Sequence, residues 1–226
     1  MQRSLDVFDC ALLPYGKALE IQHQLHREVR EGQRFGAIMM LQHQPVLTLG
    51  KNADAGLVLT QPESLEAAGI EVVTTDRGGE VTAHEPGQLV VYPILPLHEL
   101  RLPPKRYVDR LLETVILTLQ HFGIAGRSDP DYPGVWVGRD KICAIGIRVK
   151  ERVSLHGIAL NVVNDLKLFR LIVPCGIRER GVTSMENLLG SGPDLSDVTR
   201  VWLQKFSEVM DLSVKIQTVD KLMRNP

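Results

Sequence analysis

Residues 134–162 constrain the fold most. Gly134–Val137 and Ile142–Val149 are β-rich runs joined by the turn residues Gly138, Arg139 and Asp140, and Lys150–Glu151–Arg152 leads into a further run, Val153–Val162. Two hairpins in succession require antiparallel pairing, because a short turn cannot carry a parallel crossover. Elsewhere strand-like and helix-like blocks alternate without a regular βαβ repeat, which disfavours a doubly wound nucleotide fold. The expectation is a single α+β (mixed α/β) domain over residues 1–210, a largely antiparallel sheet flanked by helices, with 211–226 as a C-terminal tail.

The remaining elements follow from periodicity. Ala18, Ile21, Leu25 and Val29 recur at helical spacing after Pro14, with Gly32 as a stop. Ala37–Leu41, Val46–Leu49, Ile70–Thr75 and Gln88–Leu95 read as strands. Pro103–Pro104 opens a helix with Val108, Leu111, Leu112, Val115 and Leu119 on its apolar stripe. Short helices are expected around Leu166–Leu171 and from Thr183, and a longer one from Leu195 to Met210.

Charge narrows the function. Lys and Arg (26) nearly balance Asp and Glu (27), so a general nucleic-acid binder is disfavoured. Aromatic residues make up 5%, too few for a base-stacking platform. No apolar run approaches the ~18–20 residues of a membrane span, and the first residues lack a signal-peptide core. The odd cysteine count argues against a secreted disulfide framework. A soluble, cytoplasmic protein is expected, with no membrane and no nucleic-acid partner.

Four segments carry chemically useful side chains. In Arg77–Pro93, three glycines surround Arg77, Thr82 and His84, fitting either a substrate-cradling loop or an ordinary turn with a hydrogen-bonded core histidine. In Lys141–Val149, Lys141, Cys143, Ile145, Ile147 and Val149 share one strand face, which should point at the core. Lys141 at the end of that row is either desolvated or reaches water along its stem. Arg148, Lys150 and Arg152 form a modest basic set. Ser154–Asn161 holds His156 and Asn161 within an apolar run. In Val173–Ile177, Cys175 stands in a loop between Pro and Gly, and is the best-placed candidate nucleophile. His84, His156 and Cys175 lack metal-ligand spacing, so no metal is expected.

Together these segments resemble the octanoyltransferase family of lipoate synthesis, also called lipoyl(octanoyl) transferases. The matching blocks are RGGEVTAHEPGQLVVYPI, then KICAIGIRV with VSLHGIALNV, then PCGI with GVTSM; the chain start and LTLGK also fit. The resemblance implies a catalytic domain like that of biotin and lipoate protein ligases. It implies a reaction in which octanoyl moves from octanoyl-acyl carrier protein to a lysine of lipoyl domains, in 2-oxoacid dehydrogenases and the glycine cleavage H protein. The acyl-bearing cysteine falls on Cys175 and its partner lysine on Lys141. Substrate-binding positions fall on Arg77, Gly78, Gly79, Glu80, Val81, Thr82, Ala83 and His84, on Ala144, Ile145 and Gly146, and on Gly157, Ile158 and Ala159. No cofactor is implied, and a monomer is the simplest expectation. The chain departs from the family pattern at Ala83, usually Tyr, and at Glu85, often Gly; Cys143 also stands where a small apolar residue is usual. Alternatives are an ATP-dependent lipoate or biotin ligase, a cysteine thioester hydrolase, and a non-catalytic carrier-protein binding module.

Overall fold

The computed structural model describes residues 4–173, 180–219 and 222. The α+β expectation holds. Among the described residues an eight-stranded sheet has the order β11-β1-β2-β6-β10-β9-β8-β7. Its strands are β1 (Ser4–Leu13), β2 (Ala37–His43), β6 (Gln88–Ile94), β7 (Arg127–Ser128), β8 (Val135–Val137), β9 (Asp140–Lys150), β10 (Val153–Asn161) and β11 (Ser213–Gln217). A second sheet has the order β4-β3-β5, from β3 (Val46–Leu49), β4 (Glu71–Thr74) and β5 (Val81–His84). In the large sheet, β1 pairs in parallel with β2 and β11, and the other neighbours are antiparallel.

The large sheet is covered on both faces, so β2 and β6 are buried along nearly their whole length. Side chains alternate between two cores. Ile38, Met40, Leu89 and Val91 face one core with helices α3 (Pro104–His121) and α5 (Leu195–Met210). Met39, Leu41, Val90 and Tyr92 face the other with helix α1 (Tyr15–Arg30), through the expected Ala18, Ile21, Leu25 and Val29 stripe. Short helices α2 (Pro62–Ala67) and α4 (Met185–Leu189) complete the set.

The hairpins form as read. The β9–β10 turn places Glu151 (φ +48°) and Arg152 (φ +68°) in left-handed backbone, the twist a two-residue hairpin loop needs. The short elements α2 and β7 were not foreseen, and neither were three that build the sheets further. β1 is one. β5 is another, lying inside the glycine-rich block that read as loop. β11 is the third: residues 213–217, assigned to a tail, extend the sheet beside β1. Among the described residues no helix is long and apolar enough to cross a membrane.

Candidate active site

Between β5, the loop before it, and the β9–β10 ladder lies a narrow slot with a cavity volume of about 40 Å³. Its floor comes from sequence pattern. Ala144 pairs with Ala159 and Gly146 with Gly157 across the ladder, giving a strip with almost no side-chain volume. Close packing explains the glycines. A Cβ on Gly146 would stand 2.8 Å from the Gly78 carbonyl, and one on Gly157 2.1 Å from the Val91 carbonyl. The overlying loop is held by Arg77, whose guanidinium donates to Thr48 O (2.7 Å), Glu80 O (2.7 Å) and Gly78 O (3.2 Å).

Twelve of the fourteen expected binding positions line the slot: Arg77, Gly79, Glu80, Val81, Thr82 and His84, with Ala144, Ile145 and Gly146, and Gly157, Ile158 and Ala159. Gly78 instead gives its N–H to Ile147 O, and Ala83 packs in a core with Leu47 and Phe169. The slot also takes in Tyr15, Tyr92 and His156, which the sequence reading had not assigned to binding.

At one end a buried relay fixes the state of His84. Asn161 Nδ2 donates to the Thr183 carbonyl (2.9 Å), so Asn161 Oδ1 must accept from Gln88 Nε2 (2.9 Å). Gln88 Oε1 then accepts from His84 Nδ1–H (2.8 Å), which leaves Nε2 as a proton-free acceptor. Burial and the nearby His43 hold the His84 pKa well below the usual histidine range. Thr183 in turn donates its N–H to the Lys141 carbonyl, tying the relay to the strand that carries Lys141.

Lys141 is 6% exposed. Its Nζ donates to Pro133 O (3.0 Å) and stands 4.8 Å from the centre of the Trp136 ring. Arg180 stacks on the same ring at 4.7 Å and on Tyr132 at 4.2 Å. Gly134 gives the lysine stem room, since a Cβ there would lie 3.2 Å from Lys141 Cε and 2.6 Å from the Cys143 carbonyl. Cys175, the expected nucleophile, lies outside the described residues. The described thiols are poorly suited to attack. Cys10 and Cys143 are buried, and desolvation pushes each pKa up to about 12.

At the other end stands a second polar station. His156 is 1% exposed, and its Nε2 donates to Asp76 Oδ1 (2.8 Å) while Arg148 pairs with the same carboxylate. Arg148 is therefore committed to Asp76, not part of an unpaired basic patch. The remaining wall is aromatic. Tyr92 donates to His43 Nε2 (2.8 Å), and Tyr15 donates to Thr75 Oγ1 (3.3 Å). All four rings turn their protons away from the slot, so its histidines present acceptors and its walls are otherwise largely apolar. Glu85, at a departure position, is bound to Asn164 Nδ2 and the Leu166 N–H; burial raises its pKa.

The lipoyl protein ligase A/B catalytic domain family matches residues 14–207. An octanoyltransferase of Alkaliphilus metalliredigens is 40% identical over 217 residues, 96% of this chain and 99% of the relative. One of Chloroflexus aurantiacus is 43% identical over 220 residues, 96% and 99% of the two chains. A lipoate-protein ligase A solved with ATP superposes with a TM-score of 0.79 at 16% identity, covering 99% of this chain and 93% of its own, which establishes the shared fold. The chain belongs to the lipoyl protein ligase A/B catalytic domain family, and it is an acyltransferase.

Proposed function

We propose that the chain transfers an octanoyl group from octanoyl-acyl carrier protein to a lysine of a lipoyl domain, through a thioester on Cys175. The observation that carries this reading is the slot itself. It is narrow and largely apolar, and its His84 end is hydrogen-bonded through to the backbone of Lys141. Burying the six methylenes of an octanoyl chain is worth about 5 kcal/mol, enough to seat the substrate by its tail. The Cys175 thiolate attacks the carrier thioester; the carbonyl carbon gains the new S–C bond and the pantetheine thiolate leaves. One thioester replaces another, so no ATP is consumed. The acceptor amine then attacks, the amide forms, and the cysteine thiolate leaves. Lys141, as an ammonium, favours the cysteine thiolate by charge and passes protons between the sulfur and the incoming amine.

The lipoyl domains of 2-oxoacid dehydrogenases and the glycine cleavage H protein are the proposed acceptors. The protein works in the cytoplasm as a monomer and needs no cofactor. Mass spectrometry after mixing with octanoyl-acyl carrier protein should show one octanoyl adduct on Cys175, discharged by apo-lipoyl domain without ATP. Lys141→Met should slow adduct formation at least tenfold. An adduct on Cys143, no adduct, or transfer that requires ATP and free octanoate would overturn the reading; free octanoate released in place of lipoyl-domain product would make it a hydrolase.

A further inference from the structure

The slot has a direction. Lys141 lies three residues before Ala144 on β9, about 10 Å along the strand at ~3.3 Å per residue. Asn161 and His84 mark the same end. Ala144 with Ala159, then Gly146 with Gly157, carry the floor away from it, and the next ladder pair is Ile147 with His156. Regular alternation would put His156 on the core side with Ile158 and Leu160. Instead its backbone is left-handed (φ +58°), a conformation uncommon outside glycine, though histidine, like asparagine and aspartate, adopts it more readily than most. The ring reaches Asp76 and lines the slot.

Two contacts hold the ring there and one holds its backbone. Asp76 accepts from Nε2, Tyr92 packs edge-on at 6.3 Å, and the His156 backbone N–H donates to Gln22 Oε1 (2.9 Å). Asp76 is 37% exposed and, with Arg148, Gly78 and Ile147, lines a separate, wide groove on the far side. A buried imidazole backed by a solvent-facing carboxylate thus divides the slot from that groove. Its Nδ1 is itself buried and, among the described residues, has no hydrogen-bond partner.

We infer that His156 is the specificity-determining wall that limits how long an acyl chain the slot accepts, and that without it a longer chain runs through into the groove lined by Asp76 and Arg148. This rests on the acyl-transfer reading above. A chain too long for the slot meets a ring held by Asp76 and Tyr92; a chain of fitting length leaves it undisturbed.

The test compares kcat/KM for octanoyl-, decanoyl- and dodecanoyl-carrier protein in wild type, His156→Asn and His156→Gly. Both replacements tolerate positive φ, so the backbone path is retained, and circular dichroism with thermal unfolding checks the fold. Each methylene newly buried is worth about fourfold, so two of them should raise the ratio of decanoyl to octanoyl about fifteenfold in the glycine variant. Asparagine should fall between glycine and wild type. Unchanged length ratios in folded variants that still transfer octanoyl would overturn this inference alone. A wild-type protein that transfers no acyl chain would overturn the reading beneath it. Should the glycine variant fail to fold, the asparagine variant and Asp76→Asn, which weakens the ring's anchor, must still move the ratio toward longer chains, and their failure to do so refutes the wall.

Discussion

Replacing Gln88 with leucine removes the middle link of the relay between Thr183 and His84. The two side chains have similar volume, so the loss is mainly of hydrogen bonds. Asn161 Oδ1 keeps a second donor, Asn164 Nδ2 at 3.2 Å. His84 Nδ1–H keeps none, and it is buried. An orphaned buried donor costs about 1–3 kcal/mol, so the variant should be destabilised by about 2 kcal/mol. For a domain of this size that is a fall of roughly 4–8 °C in Tm. The imidazole can escape part of the cost by moving its proton to Nε2, which turns a donor into the slot and undoes the acceptor lining. Nitrogen chemical shifts of His84 should report the Nδ1–H tautomer in wild type and a mixture in the variant, with slower acyl transfer. A variant with unchanged tautomer, Tm and transfer rate would refute the claim that Thr183 sets the state of His84.

Four further outcomes are expected. His43 is buried with its pKa lowered by desolvation to about 4, so the unfolded chain binds a proton below pH ~6.5 that the native state refuses. Stability should therefore be full above that pH and fall by about 3 kcal/mol as pH drops to 4, at 1.36 kcal/mol per unit; His43→Gln should flatten that slope in urea titrations at several pH values. Cys143→Ala should leave the octanoyl adduct and the transfer rate within twofold of wild type, since its thiol is buried and protonated; loss of the adduct would identify Cys143 as the nucleophile. Gly134→Ala forces a methyl against the Cys143 carbonyl and the Lys141 stem at positive φ (+137°), and should cut acylation more than tenfold and lower Tm as well. Ala144→Leu fills the floor and should raise KM for the octanoyl donor, measured by steady-state transfer, without abolishing the chemistry.

Much of this architecture is readable from residue order because local rules and the fold agree. The α1 stripe, the Pro103–Pro104 helix start and the second hairpin obey spacing and turn chemistry alone. The slot floor is readable for the same reason: Ala144 and Gly146, like Gly157 and Ala159, are small residues at period two. β1 escaped notice because Asp6 and Asp9 interrupt its apolar pattern, and its pairing needs β11 from the opposite end of the chain. β11 itself is an edge strand whose Lys215 and Gln217 read as tail. β5 hid within the glycine block because Thr82 and His84 are buried polar residues, satisfied only by the tertiary fold. His156 misled parity through its left-handed backbone, and Tyr15 and Tyr92 reach the slot from a helix and a strand no local rule connects to it.

The floor of paired alanines and glycines has an evolutionary consequence. Main-chain atoms and methyl groups offer nothing left to trim, so any heavier replacement at Ala144, Gly146, Gly157 or Ala159 makes the slot shallower or pushes strands apart. Drift at these four positions runs one way, toward a tighter fit or loss of the fold. Descendants of this chain that handle bulkier acyl groups must therefore have changed the walls, where rings can shrink, and kept the floor bare.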